Sequence, residues 1–184
     1  MRMPDRVRRL TDWRAFGADA VAILGWFVVA GLVGGVLWWQ LTPLAEWTRT
    51  TGNAEMPEVE LRRMVAIDGW FMLVAALGGL VSGLVLAVWR KRDPISTVLL
   101  IVVGAGLASA SMAVTGHLLG PGDLKEALSS AATGAKVPVE LRPASHGTYL
   151  VWPVTALFGA LLVLWGTTPS RKDADDEAIP QPTG

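Results

Sequence analysis

With 184 residues the chain has room for one ordinary domain. It is 52% hydrophobic and 17% charged, against about 25% charged in soluble domains. The apolar residues gather in four long blocks instead of amphipathic stripes, which excludes an ordinary water-soluble core. The formal net charge is zero and cysteine is absent, so bulk charge gives no reason to expect nucleic acid, and disulfides, thiolate metal sites and cysteine nucleophiles are excluded.

Residues 1–19 form a basic lead with Arg2, Arg6, Arg8, Arg9 and Arg14. Residues 20–41 follow without a charge and carry Trp38 and Trp39 at the far end. This run is too long for a signal-peptide core and lacks a small-x-small site after it, so a retained first helix is expected. Residues 42–67 read as an outer loop holding Glu46, Arg49, Glu55, Glu58, Glu60, Arg62 and Arg63. Pro43, Gly52 and Pro57 argue against a long helix there.

Residues 69–89 are the anchor of the reading. They are uncharged, bounded by Asp68 at one end and by Trp89 and Arg90-Lys91-Arg92 at the other. At about 1.5 Å per residue such a helix spans the roughly 30 Å hydrocarbon core of a bilayer. Basic ends stay cytoplasmic, so this helix should run from outside to inside. The short turn to Pro94 should make helices two and three antiparallel neighbours, with Pro94 at a helix start.

Residues 95–116 are the third span and residues 118–146 a second outer loop. Asp123 can cap a short helix there, because Leu124, Ala127, Leu128 and Ala131 share a face. Val137, Val139 and Leu141 alternate as in a brief strand. Residues 147–169 are the fourth span, where Pro153 should kink the helix and deprive the Tyr149 carbonyl of its usual donor. Residues 170–184, with mixed charge and Pro180 and Pro182, read as a disordered tail. Lys and Arg number ten on the proposed inside and six outside, which favours both termini in the cytoplasm.

The tetrapeptide Val-Glu-Leu-Arg occurs at 59–62 and again at 139–142. It suggests two helical hairpins in parallel repeat, each carrying one strand of a small two-stranded outer cap. Small residues spaced by four mark the helix faces that should pack: Gly31 and Gly35, Gly79 and Gly83, and Gly104 with Ala108, Ser111 and Thr115. The expected fold is therefore an all-α integral membrane protein, a four-helix bundle in the plasma membrane.

Chemistry-bearing residues are few. Asp68 reads first as an interfacial acid capping a helix. With His117 and His146 it would make an acceptable acid–base or metal-binding set if the three converged. No cofactor or metal is expected. Gly104 to Ser109 superficially matches a dinucleotide loop, but it lies within an uncharged span with no preceding strand. No charge stands mid-span, which argues against a proton relay across the bilayer.

The strings ELRRMVAIDGWFMLVAALGGLVSG and VPVELRPASHGTYLVWPVTAL, the RKR turn and Leu119-Gly120-Pro121 together resemble the DUF2567 family of uncharacterised actinobacterial membrane proteins. In that family an acid–glycine pair opens the second helix, here Asp68-Gly69, and an aromatic–proline pair marks the last, here Trp152-Pro153. The resemblance covers nearly the whole chain except both tails. It implies the same topology and adds no reaction. The leading functional expectation is a non-enzymatic partner in envelope assembly, binding another membrane protein or itself. A small transporter subunit is one alternative, and an outer-face enzyme using Asp68, His117 and His146 is another.

Overall fold

The structure, a computed structural model, describes residues 5–51, 54–55, 57–89 and 94–166. Four of its helices are long and apolar enough to cross a bilayer, and the chain is a multi-pass membrane protein. The elements run α1 Asp5–Leu41, β1 Glu46–Arg49, β2 Ala54–Glu55, α2 Glu58–Trp89, α3 Pro94–Leu119, α4 Leu124–Ser130, β3 Lys136–Pro138, a 3-10 turn His146–Leu150, and α5 Val151–Gly166.

Two helices outrun their uncharged spans. The basic lead is no separate segment: from Asp5 onward it is the first part of α1, which is 37 residues long. Likewise α2 has 32 residues and begins at Glu58, inside the stretch expected to be loop. Pro57 starts this helix instead of preventing it, its carbonyl accepting the Glu60 N–H at 2.9 Å, because proline is harmless before the first turn. Glu60 also pairs with Arg63 at 3.1 Å, a helical neighbour contact. The charges that looked like loop therefore sit on a helix rising past the bilayer edge. The Arg90-Lys91-Arg92 cluster and residues 170–184 lie outside the described residues.

Helix pairing differs from the expectation based on loop length. α1 packs on α3 and α2 packs on α5, whereas the consecutive α2 and α3 touch little. Small residues decide this. A Cβ at Gly31 would come within 2.5 Å of the Ala108 carbonyl oxygen, and one at Gly35 within 2.8 Å of the Met112 oxygen. On the other pair, Gly79 faces Trp152 and Thr155, Gly83 faces Ala156, and Gly159 faces the Leu80 carbonyl. Gly104 receives the Phe27 ring. Contact numbers rise together along both partners, so each pair is parallel. The hairpin α1–α2 thus lies against the hairpin α3–α5 in the same direction.

The core runs down these seams. Ile23, Phe27 and Trp38 of α1 meet Ile101, Ala105, Ala108 and Met112 of α3, while Phe71, Ala75 and Leu86 of α2 meet Trp152, Ala156 and Ala160 of α5. Trp38 is fully buried, stands edge-on to Phe71 at 5.0 Å, and donates from Nε1 to the Ile67 carbonyl at 3.0 Å.

The cap is a three-stranded antiparallel sheet of order β2-β1-β3, not the two-stranded pairing of the repeated tetrapeptides. Residues 59–62 are helical in α2, and residues 139–142 follow β3 outside the strand, with one further bond from the Val139 N–H to the Ala45 carbonyl at 2.8 Å. Only Val137 of the alternating run lies in a strand. Pairing is Trp47 with Val137 and Thr48 with Lys136 on one side, and Thr48 with Glu55 on the other. The Glu46 N–H donates to Glu60 Oε2 at 3.0 Å, tying the sheet to the top of α2. Arg49 donates to the Leu128 carbonyl of α4, which Asp123 caps as expected, its Oδ1 accepting the Lys125 N–H at 2.7 Å.

Candidate functional site

The strap of residues 139–146 crosses the cap end of the bundle, and every chemical candidate from the sequence touches or borders it. Leu141 is its plug, fully buried over Gly116 and Gly120. A Cβ at Gly120 would sit 2.8 Å from that of Leu141, so the α3 terminus accepts the strap only because glycine stands there.

Two clasps hold the strap. Asp68 Oδ1 accepts the Ala144 N–H at 2.9 Å, from the level where α2 leaves the apolar span. His117 Nδ1 lies 3.2 Å from Glu140 Oε1, from the last turns of α3. The His117 side chain is about half exposed, so solvent screens this pair and its contribution is modest.

Cavities flank the strap. One, of about 330 Å³, is bordered by His117, Glu140, Arg142 and Tyr149. The other, of about 600 Å³, is bordered by Met64, Glu140, Arg142, His146 and Tyr149. His117 therefore faces one side of the strap and His146 the other, and Asp68 borders neither cavity. Among the described residues no group of three or more His, Cys, Asp or Glu is placed to hold a metal ion. Sequence reasoning named Glu140 and Arg142 only within the repeated tetrapeptide and Tyr149 only for its carbonyl, yet all three line both cavities. The signal available was the alternation Val139, Leu141 with charges between, which already implied charges facing away from a buried side.

Beneath the strap, the proline effect takes a different form from a kink. The chain enters as a 3-10 turn through Leu150 and becomes α-helical at Val151, so Pro153 sits in the first turn of α5. The freed Tyr149 carbonyl is taken by α3, because Ser109 Oγ donates to it at 2.8 Å. Ser109 is buried, and this bond ties α3 to the start of α5. The Tyr149 ring packs on Phe71 at 5.8 Å, adding α2 to the same junction. Replacing Ser109 with Ala should leave the Tyr149 carbonyl unpaired and cost about 0.6–2 kcal/mol. Unfolding of Ser109→Ala in mild detergent checks this, and an unchanged midpoint would contradict it.

Ser111 and Thr115 lie in the α1–α3 seam, against Gly31 and Gly35. The candidate packing residues Gly31, Gly35, Gly79, Gly83 and Gly104 all sit at helix contacts. The cap end presents a mixed-charge surface with two open hollows. No family model, curated protein or solved structure matches the chain.

Proposed function

We propose that this protein is a non-enzymatic assembly partner in the cell envelope, set in the plasma membrane with both termini cytoplasmic and its cap outside. The supporting observation is how the polar candidates are used. Asp68 is engaged by Ala144, His117 by Glu140, and Ser109 by Tyr149. Each ties one element to another, and the seams between helices are filled by apolar and small residues. On this reading the protein is a scaffold that holds a folded cap at the membrane surface, and an envelope protein docks there. Exposed Leu61 and Val65, one turn apart on the part of α2 that rises toward the cap, add an apolar row beside that surface. Membership of the DUF2567 group belongs to the same reading.

Purification in mild detergent followed by mass spectrometry should recover one stoichiometric envelope protein. Leu61→Glu/Val65→Glu should release it while the thermal midpoint stays unchanged. Recovery of no partner, or solute flux through proteoliposomes, would overturn the proposal. Asp68 separates scaffold from enzyme. An Asn side chain still accepts the Ala144 N–H, so Asp68→Asn should keep partner binding, whereas Asp68→Ala should speed amide exchange at Ala144. Equal protection in both variants would remove the clasp from the account.

A further inference from the structure

A third cavity lies within the membrane span, away from the strap. It is a slot of about 600 Å³ between α1 and α2, bordered by Trp26, Ala30, Gly34 and Leu37 on one side and by Trp70 and Leu77 on the other. Its floor is the indole of Trp152, which reaches from α5 between the two helices. A Cβ at Gly78 would meet this ring at 2.8 Å and one at Gly34 at 3.3 Å. The indole is thus a wedge that keeps α1 and α2 apart, and the glycines make room for it. The deep end is closed, since Trp26 Nε1 donates to Ser82 Oγ across the two helices at 3.1 Å. The side facing the bilayer is open, with Val33, Leu73 and Leu77 about half exposed. Among the described residues no charged side chain borders the slot.

We propose that this slot holds one acyl chain of a lipid from the leaflet on the cap side. Dimensions decide the occupant. From Trp70 to the Trp26–Ser82 bridge is about 18 Å at the helical rise, slightly more than half the bilayer's hydrocarbon thickness. A volume of about 600 Å³ over that length gives a mean cross-section of roughly 30 Å², against roughly 80–110 Å² for a helix with its side chains. One hydrocarbon chain fits, and a transmembrane helix of a partner or of a second copy does not. A blind end also suits a lipid tail entering from one leaflet and not a helix that must continue to the far side. The chain's own residues 167–184 are unsuited, carrying Arg171, Lys172, Asp173, Asp175, Asp176 and Glu177 and following Gly166 at the opposite end of the bundle. The inference stands independently of the assembly reading.

The test uses the full-length protein in bilayers of phosphatidylglycerol and phosphatidylcholine containing phosphatidylglycerol spin-labelled on one acyl chain. The expected result is a strongly immobilised component amounting to one lipid per chain, over and above the ordinary boundary lipid. Ala30→Phe, which fills the slot, should abolish that component, and Leu99→Phe on the outer face of α3 should preserve it. Leu77→Trp at the mouth serves as a second blocking variant if Ala30→Phe fails to fold. Absence of the component in the native chain, its survival in the folded blocking variant, or a cross-link from Leu77 to a helix of a second copy would overturn the proposal.

Discussion

Gly83→Leu should be the most damaging single change in the membrane domain. A Cβ at Gly83 would fall on the Ala156 carbonyl of α5, a backbone atom that cannot rotate out of the way. The two helices would have to separate along the whole seam that Gly79, Gly83 and Gly159 share. Ordinary overpacking costs about 1–3 kcal/mol, and this change should exceed that range because the obstacle is a neighbouring helix. The midpoint of thermal unfolding in mild detergent should fall steeply, and Gly83→Ala should already show part of the loss. Gly25 and Gly106 give the internal comparison, since among the described residues nothing lies within 4 Å of a Cβ at either position. Changing those two to Ala should be neutral, or stabilising by up to about 1 kcal/mol through helix propensity. Equal behaviour of Gly83→Ala and Gly106→Ala would refute the seam.

Truncating Trp38 should rank next. This indole fills the point where α1, α2 and α3 meet beneath the Leu141 plug, and it packs against Gly116 and Phe71. Trp38→Ala removes a fully buried side chain, for which about 3–5 kcal/mol is the usual loss. It also strips the Ile67 carbonyl of its indole donor, just before Asp68. The damage should therefore reach the strap, so that limited proteolysis cuts between residues 139 and 146 in Trp38→Ala and not in the native protein. Trp38→Phe separates the two effects. It retains most of the packing and loses only the hydrogen bond, about 1–3 kcal/mol with the carbonyl left unpaired. Resistance of Trp38→Ala to proteolysis would show that the cap does not depend on this junction.

The spans were readable because lipid demands them. An uncharged run of the right length has few other uses, and the residues of the four membrane helices could be found from that alone. Element ends were less readable where charge misled. Glu58 to Arg63 looked like loop, yet polar residues are equally at home on a helix above the bilayer, and the Glu60–Arg63 pair supports one. β1 gave no signal, because Glu46 to Arg49 lacks a clear apolar alternation and depends on partners some ninety residues away. The small faces on the helices were visible, but such a face carries no address. Nothing in Gly31 or Gly83 states which helix will meet it, and proximity in the chain suggested the wrong neighbours. Asp68 borders an uncharged span but, contrary to expectation, caps no helix start, because α2 already begins at Glu58. Its partner is a backbone N–H on a distant loop, and backbone groups leave no trace in a side-chain pattern.

The parallel seams bear on how the protein is made. Each helix finds its closest companion two crossings later, so neither intimate contact can form while only the first hairpin has emerged from the ribosome. That hairpin must wait in the bilayer with its notched glycine surfaces facing lipid, and both seams then close when the second hairpin arrives alongside. A chain stopped after Trp89 should persist as two loosely joined crossings, free to accept a separately synthesised second half, and co-expression of the two halves should restore the intact fold.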